Sequence, residues 1–293
     1  MFLFHLKARR QIGLLLRNGP SVRKFQALFG VERFPHGDTL DGTFAHLEAD
    51  QVQSVVTGMT ETLIRKKVLY RYRLWGRYFV VAIDGTGTIS YSHRHCPHCL
   101  TRTRHGKTLY YHPILEAKLV TFNGFAFSLM SEFIENPEEK MTKQDCELKA
   151  FYRLAERLKV RLPRLPILLS MDGLFAGGPT FDRCRRYGWK FMIVLKDDDV
   201  PSVNGEFDAL SLVQPENRLV WRTGKEACIT QVFRWVDDIA YVDSRKKEHT
   251  LSAIECLETK PDKDGQKKTT KFKWVTNCHV SHKNVTTLAN EGG

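Results

Sequence analysis

Tyr78-Phe79-Val80-Val81-Ala82-Ile83-Asp84-Gly85-Thr86-Gly87-Thr88 is the stretch that decides the fold of this chain. Apolar residues run without a break from Phe79 to Ile83 and stop at an acid followed by glycine. An uninterrupted apolar run predicts a strand buried on both faces. The pattern recurs at Pro166-Ile167-Leu168-Leu169-Ser170-Met171-Asp172-Gly173. If these two strands are parallel neighbours, Asp84 and Asp172 meet at the carboxyl edge of the sheet, where open α/β sheets bind ligands. Two carboxylates so placed repel unless a cation lies between them, and hard oxygen ligands suit Mg²⁺ or Mn²⁺. The plain alternative for either residue alone is an Asp-Gly turn.

Outward from these two strands, residues 77–199 alternate strands and helices. Strands are predicted at 77–84, 86–92, 109–121, 125–130, 166–172 and 190–196, with the second continuing the first through a bend. A helix opens at Thr142-x-x-Asp145, a capping-box-like start, with Phe151, Leu154, Ala155 and Leu158 as its apolar stripe. Another starts at Pro179 and stops at Gly188. The order implies a mixed α/β sheet with crossover helices on its faces.

Residues 1–76 read as a basic helical region. Leu14, Leu15 and Leu16, then Val22, Phe25, Leu28 and Phe29 fall at helical spacing, and Leu47, Val52, Val55, Val56, Met59, Leu63 and Ile64 form the next stripe. Residues 200–276 read as an antiparallel β insertion, with strand-like runs at 218–222, 227–236, 250–257 and 271–276 and a hairpin turn at Asp264-Gly265. Residues 277–293 read as the start of a last helix capped by Ser281.

The chain of 293 residues carries a formal charge of +12 and a pI near 9.4. Residues 1–79 hold 13 Lys and Arg against 6 Asp and Glu. Such a surplus favours nucleic acid or an anionic membrane as partner. Seven scattered cysteines, an odd number, do not make a disulfide framework and imply a reducing compartment. The opening Met1-Phe2-Leu3-Phe4-His5-Leu6-Lys7 is too quickly charged for a signal peptide, and no stretch of about 18 apolar residues predicts a membrane span.

His93-Arg94-His95-Cys96-Pro97-His98-Cys99, with His105 and His112 downstream, is a second constellation. Cys-x-x-Cys with nearby histidines has zinc-ligand chemistry, and a closed Zn²⁺ site would use Cys96, Cys99 and two of the histidines. Arg94, Arg102, Arg104 and Lys107 favour the other reading, a basic loop touching phosphate. Asp145-Cys146-Glu147 supplies acids that complement a helix dipole and that could add a carboxylate to the site. Trp221 and Trp235 are candidates for stacking on an unpaired base. Cys184 and Cys228 show no sign of nucleophile chemistry.

Taken as a linked set, several motifs resemble insertion-sequence transposases of the DDE class: Ala82-Ile83-Asp84-Gly85-Thr86-Gly87, His95-Cys96-Pro97-His98-Cys99-Leu100, Leu109-Tyr110-Tyr111-His112, Asp145-Cys146-Glu147, Asp172-Gly173-Leu174 and Trp274-Val275-Thr276. The resemblance runs from about Phe34 to Gly293. It implies a ribonuclease H-like core interrupted by a β-rich insertion, acting with Mg²⁺ on transposon DNA ends and target DNA. Asp84 then takes the place of the first catalytic, metal-holding acid and Asp172 that of the second. It further implies a cytoplasmic, nucleoid-associated bacterial protein, paired as a homodimer on two DNA ends. The family's third acid is a Glu on a helix beyond the insertion, and this chain stops where that segment should begin. Glu291 is the only late acid and lacks the family's setting. The expectation is therefore a truncated copy, inactive or impaired as a nuclease. Two rivals stand beside it. One is a DNA-binding remnant without chemistry. The other is an actin-like or sugar-kinase-like ATPase, with Asp84-Gly85-Thr86-Gly87-Thr88 as a phosphate loop.

Overall fold

The computed structural model describes residues 20–293 apart from 31, 33–35, 137–143, 197–198, 225–228 and 263. The chain divides into two units, residues 1–55 and 56–293. Helices α1 (Pro20–Phe29) and α2 (Gly37–Ala45) belong to the first, and α3 (Ala49–Arg65) runs from the first into the second. The leucines at 14–16 lie outside the described residues.

The second unit is a mixed α/β structure built on one sheet. Its strands are β1 (Phe79–Tyr91), β2 (Leu100–Arg104), β3 (Lys107–Val120), β4 (Ala126–Phe133), β5 (Ile167–Met171), β6 (Lys190–Val194), β7 (Arg218–Thr223), β8 (Ile229–Val242), β9 (Glu248–Pro261) and β10 (Lys267–Thr276). The sheet order is β2-β3-β1-β5-β6-β10-β9-β8-β7, with β4 also paired to β3. Strands β1, β5 and β6 are parallel neighbours, and the other pairings are antiparallel. Helices α4 (Glu147–Arg161) and α5 (Gly178–Tyr187) cross over between β4, β5 and β6. Helix α6 (Pro201–Val213) follows β6, and a short α7 (Val285–Thr287) runs into a π-helical turn, Leu288–Gly292.

The buried run of β1 supplies both faces of the core, as its composition predicts. Phe79, Val81 and Ile83 join Phe151, Leu154, Leu169 and Phe191 on the side of α4 and α5. Val80 joins Leu168, Met192, Ile254, Val285 and Leu288 on the other. Successive side chains of a strand point to opposite faces, so one strand feeds two layers.

The stretch 86–92 continues the strand at 77–84 as expected, the two forming β1 with an irregularity between Gly87 and Ile89 where β3 pairs alongside. Other expectations are corrected. Strand β2 went unpredicted; its alternation of Thr and Arg carries no apolar signal. The helix predicted from Thr142 begins at Glu147, with Cys146 at its N-cap; Asp145 instead accepts from Glu135 N and Arg153, and Thr142 lies outside the described residues. Pro201–Val213, expected to open the β-rich stretch, is helical. The β-rich stretch joins the same sheet: β10 pairs with β6, Trp274 opposite Val194.

On α3 the buried face is Thr57, Thr60 and Ile64, not the valine-methionine stripe; Met59 is exposed. The reason is β4, an edge strand with a register shift opposite Ala117/Lys118. Thr57 Oγ1 donates to Leu129 O at 2.6 Å and Thr60 Oγ1 to Ser128 O at 2.8 Å, occupying edge carbonyls that β4 leaves without a strand partner.

Candidate active site and metal centres

The last paired residues of β1 and β5 are Ala82 and Ser170. Asp84 and Asp172 each lie two residues further along, Asp84 still on β1 and Asp172 just past the end of β5. Both are exposed. Strand β5 ends at Met171, whereas β1 runs on to Tyr91. This difference opens a notch at the carboxyl edge, on the β5 side of β1. Residue 84 is not in a turn: Asp84 pairs with Glu116 and Gly85 with Leu115 in the β1–β3 ladder. The backbone of residues 84–87 is therefore part of the β1–β3 ladder. Asp172 does adopt the turn role, its Oδ1 accepting from Leu174 N at 3.2 Å.

A third acid comes from α4. Glu147 lies in its first turn and packs against the bare face of Gly85; a Cβ on residue 85 would fall 2.5 Å from Glu147 Oε1. Burial, then the charges of Asp172 and Asp84, push the Glu147 carboxyl above its ordinary range. The three acids thus share one field, drawn from β1, β5 and α4. Asp199 adds a fourth nearby: it accepts from Lys196 N, and its carboxylate lies over Gly173, where a Cβ would collide with it. A cavity of about 450 Å³ opens beside Glu147, with Gly85, Gly87, Arg102, Tyr111 and Cys146 in its wall. Arg102 lies over the Tyr111 ring, 4.8 Å from its centroid, so the wall carries a cation beside the acids.

On sequence, Asp145-Cys146-Glu147 has two readings, acids that complement a helix dipole and acids that add a carboxylate to the site. Asp145 does take a structural part, bonding Arg153 at 2.7 Å while Arg153 also bonds Glu132. Glu291, the late acid considered above, is exposed in the terminal π-helical turn. Trp235 is buried and packs edge-on against His282, so it is core rather than a stacking platform; Trp221 on β7 is partly exposed. Burial pushes the Cys184 thiol up to about 12, consistent with an inert core residue, and Cys228 lies outside the described residues.

Among the described residues, two groups of three or more side chains bring metal-capable atoms within 4.8 Å of one another, and the acid cluster is set more widely than that. The first group is His95, Cys96, Cys99 and His112. Cys96 Sγ and Cys99 Sγ are 3.6 Å apart; His112 Nε2 is 3.1 Å from Cys96 Sγ and 3.4 Å from Cys99 Sγ; His95 Nδ1 is 3.4 Å from Cys99 Sγ. Of the two histidines left open on sequence, the fold selects His95 and His112. His98 turns away, its Nδ1 donating to Asn136 O at 2.7 Å. The second group is Asp182, Asp243 and His249. Its carboxylates already bind Arg185, Arg245 and Lys247, which compete with any metal. Burial raises the Asp243 carboxyl, but bonds from Arg245, Lys247 N and His249 outweigh it and hold the group well below its ordinary range.

No family model matches the chain, and no curated protein matches it. Among the described residues no helix is long and apolar enough to cross a membrane.

Proposed function

We propose that this protein is a DNA transposase of the DDE class, with a ribonuclease H-like core. It hydrolyses a DNA strand with Mg²⁺ or Mn²⁺ and then directs the freed 3′-hydroxyl onto target DNA. The observation that carries the reading is the gathering of Asp84, Asp172 and Glu147 at the open carboxyl edge of β1 and β5. Divalent cations held by such carboxylates activate water on one side of a phosphodiester and stabilise the leaving oxygen on the other. Asp84 and Asp172 hold the ions. Glu147 supplies a third carboxylate from within this chain, its carboxyl raised by burial and by Asp172 and Asp84, and would join them in holding a cation. Arg102 and the net charge of +12 serve the DNA backbone. The softer group of His95, Cys96, Cys99 and His112 suits zinc instead. Two DNA ends call for two protomers.

Purified residues 1–293 should nick or join transposon-end DNA with Mn²⁺ or Mg²⁺. Asp84→Asn and Asp172→Asn should each reduce turnover by at least about 100-fold while DNA binding persists. DNA bound but untouched under both metals would leave a DNA-binding protein without chemistry. Cleavage unaffected by both substitutions would place the active site elsewhere.

A further inference from the structure

We propose that His95, Cys96, Cys99 and His112 form a four-ligand zinc site whose role is to fix the N-terminus of α4, and with it Glu147. The proposal stands whether or not the acids cleave DNA.

The ligand spacing carries the first half. Zinc bonds of about 2.3 Å to sulfur and 2.0–2.1 Å to nitrogen, set tetrahedrally, put sulfurs about 3.8 Å apart and sulfur and nitrogen about 3.5 Å apart. The four observed separations run from 3.1 to 3.6 Å. A disulfide requires sulfurs about 2.05 Å apart, so the pair is not one. Two thiolates and two imidazoles filling four positions describe a closed structural site rather than an open catalytic one. The Pro97-His98 turn folds Cys96 and Cys99 towards one point, and β3 delivers His112 to it.

The surroundings carry the second half. Outer partners orient metal ligands, and here one buried amide does so for the Cys99 turn. Asn136 Nδ2 donates to Cys99 O at 3.2 Å, and Asn136 N donates to His98 O at 3.1 Å. The same side chain reaches the other way, its Oδ1 accepting from Asp145 N at 3.2 Å, two residues before Glu147. Gln144 adds a second tie: Thr101 N donates to Gln144 Oε1 at 2.6 Å, and Gln144 Nε2 donates to Thr101 O at 3.0 Å. The chain just before the α4 N-terminus is therefore fastened to the metal-binding turn and its exit, Asp145 through Asn136 to Cys99 and Gln144 directly to Thr101. Without the metal, the thiols and imidazoles meet one another through weak sulfur contacts, which zinc bonds would replace.

Full-length protein from zinc-replete medium, kept reduced, should contain about one zinc per chain by elemental analysis. Cobalt exchanged for it should show sulfur-to-metal charge transfer and the intense visible bands of a tetrahedral ion. Cys99→Ser and His112→Ala should lose the metal, whereas His98→Ala should keep it. Chelation should speed amide exchange of residues 144–150 at least about tenfold and leave β8 and β9 unchanged. Asn136→Ala should speed exchange of the same residues with zinc still bound. Should the Cys99 variant fail to fold, the cobalt spectrum of the parent still decides the ligand set. Zinc below about a tenth per chain, another metal in its place, or retention by Cys99→Ser overturns the site. Exchange at 144–150 that is unchanged by chelation, or raised only as part of a uniform rise, overturns the role.

Discussion

Burial and the neighbouring Asp172 and Asp84 make ionisation of Glu147 unfavourable in the folded chain without metal. A carboxyl raised by folding contributes stability below its ordinary value near 4.3, and that contribution disappears as pH rises through the raised value. Glu147→Gln keeps the position neutral. Thermal unfolding of metal-free protein should therefore show the variant equal to the parent near pH 4 and more stable at pH 7–8. A divalent ion reverses the order: at a hundredfold excess over its Kd it adds about 2.7 kcal/mol to the parent and less to the variant. Gly85→Ala should abolish most of that gain with Glu147 still in the chain, because the added methyl occupies the carboxylate's place. Gly87→Ala, which meets nothing within 4 Å, should not. A Gly85→Ala protein with full metal response would remove Glu147 from the site. The placing of Asp84 and Asp172 at strand ends was legible because each ends an apolar run. The stretch Asp145-Cys146-Glu147 was legible only as a possible source of one more acid; that Glu147 faces Gly85 was not, because its partner there is an absent Cβ sixty-two positions away.

At the scale of elements, α3 shows how a helix can close a sheet edge with hydroxyls. Thr57 is buried and donates to the carbonyl of Leu129, so Thr57→Val leaves a buried acceptor unpaired, at a cost of about 1–3 kcal/mol. Thr62, which bonds back to Gly58 O within its own helix, should cost no more than about 0.5 kcal/mol when changed to Val. Denaturant unfolding of the two variants checks the difference; equal losses would deny α3 its capping role. The α5–β8–β9 corner behaves oppositely to Glu147. Bonds from Lys247, Arg245 and Arg185 outweigh burial at Asp182 and lower its carboxyl, as the Asp243 partners do there. Depressed carboxyls stabilise above their ordinary values, and that stability is lost as pH falls through the depressed ones. Asp243→Asn should therefore lower the melting temperature at pH 7 and flatten its decline below pH 4. The helical stripe of α3 could be read from sequence, but which face turns inward could not, since the deciding partner is the broken ladder of β4.

At the scale of the molecule, the class of fold follows from alternation of strand and helix between residues 77 and 199, and that much was legible. Continuity of the sheet into residues 218–276 was not, because pairing of β6 with β10 joins positions eighty apart and leaves no local mark. Under the proposed function, the excess of cations predicts that DNA binding depends steeply on salt. If six phosphates are neutralised, affinity should fall about a thousandfold between 50 and 200 mM salt. Titration of a fluorescent duplex measures the slope; a flat response would deny the backbone contacts. The β6–β10 seam also dictates an order of assembly during synthesis. Lys190–Val194 leaves the ribosome some seventy-five residues before the strand that will sit beside it. Until Trp274 and Val275 emerge, an apolar strand edge stands open to any passing chain. Nascent polypeptides halted near residue 260 should sediment as aggregates or be held by chaperones, while those released beyond residue 280 should not.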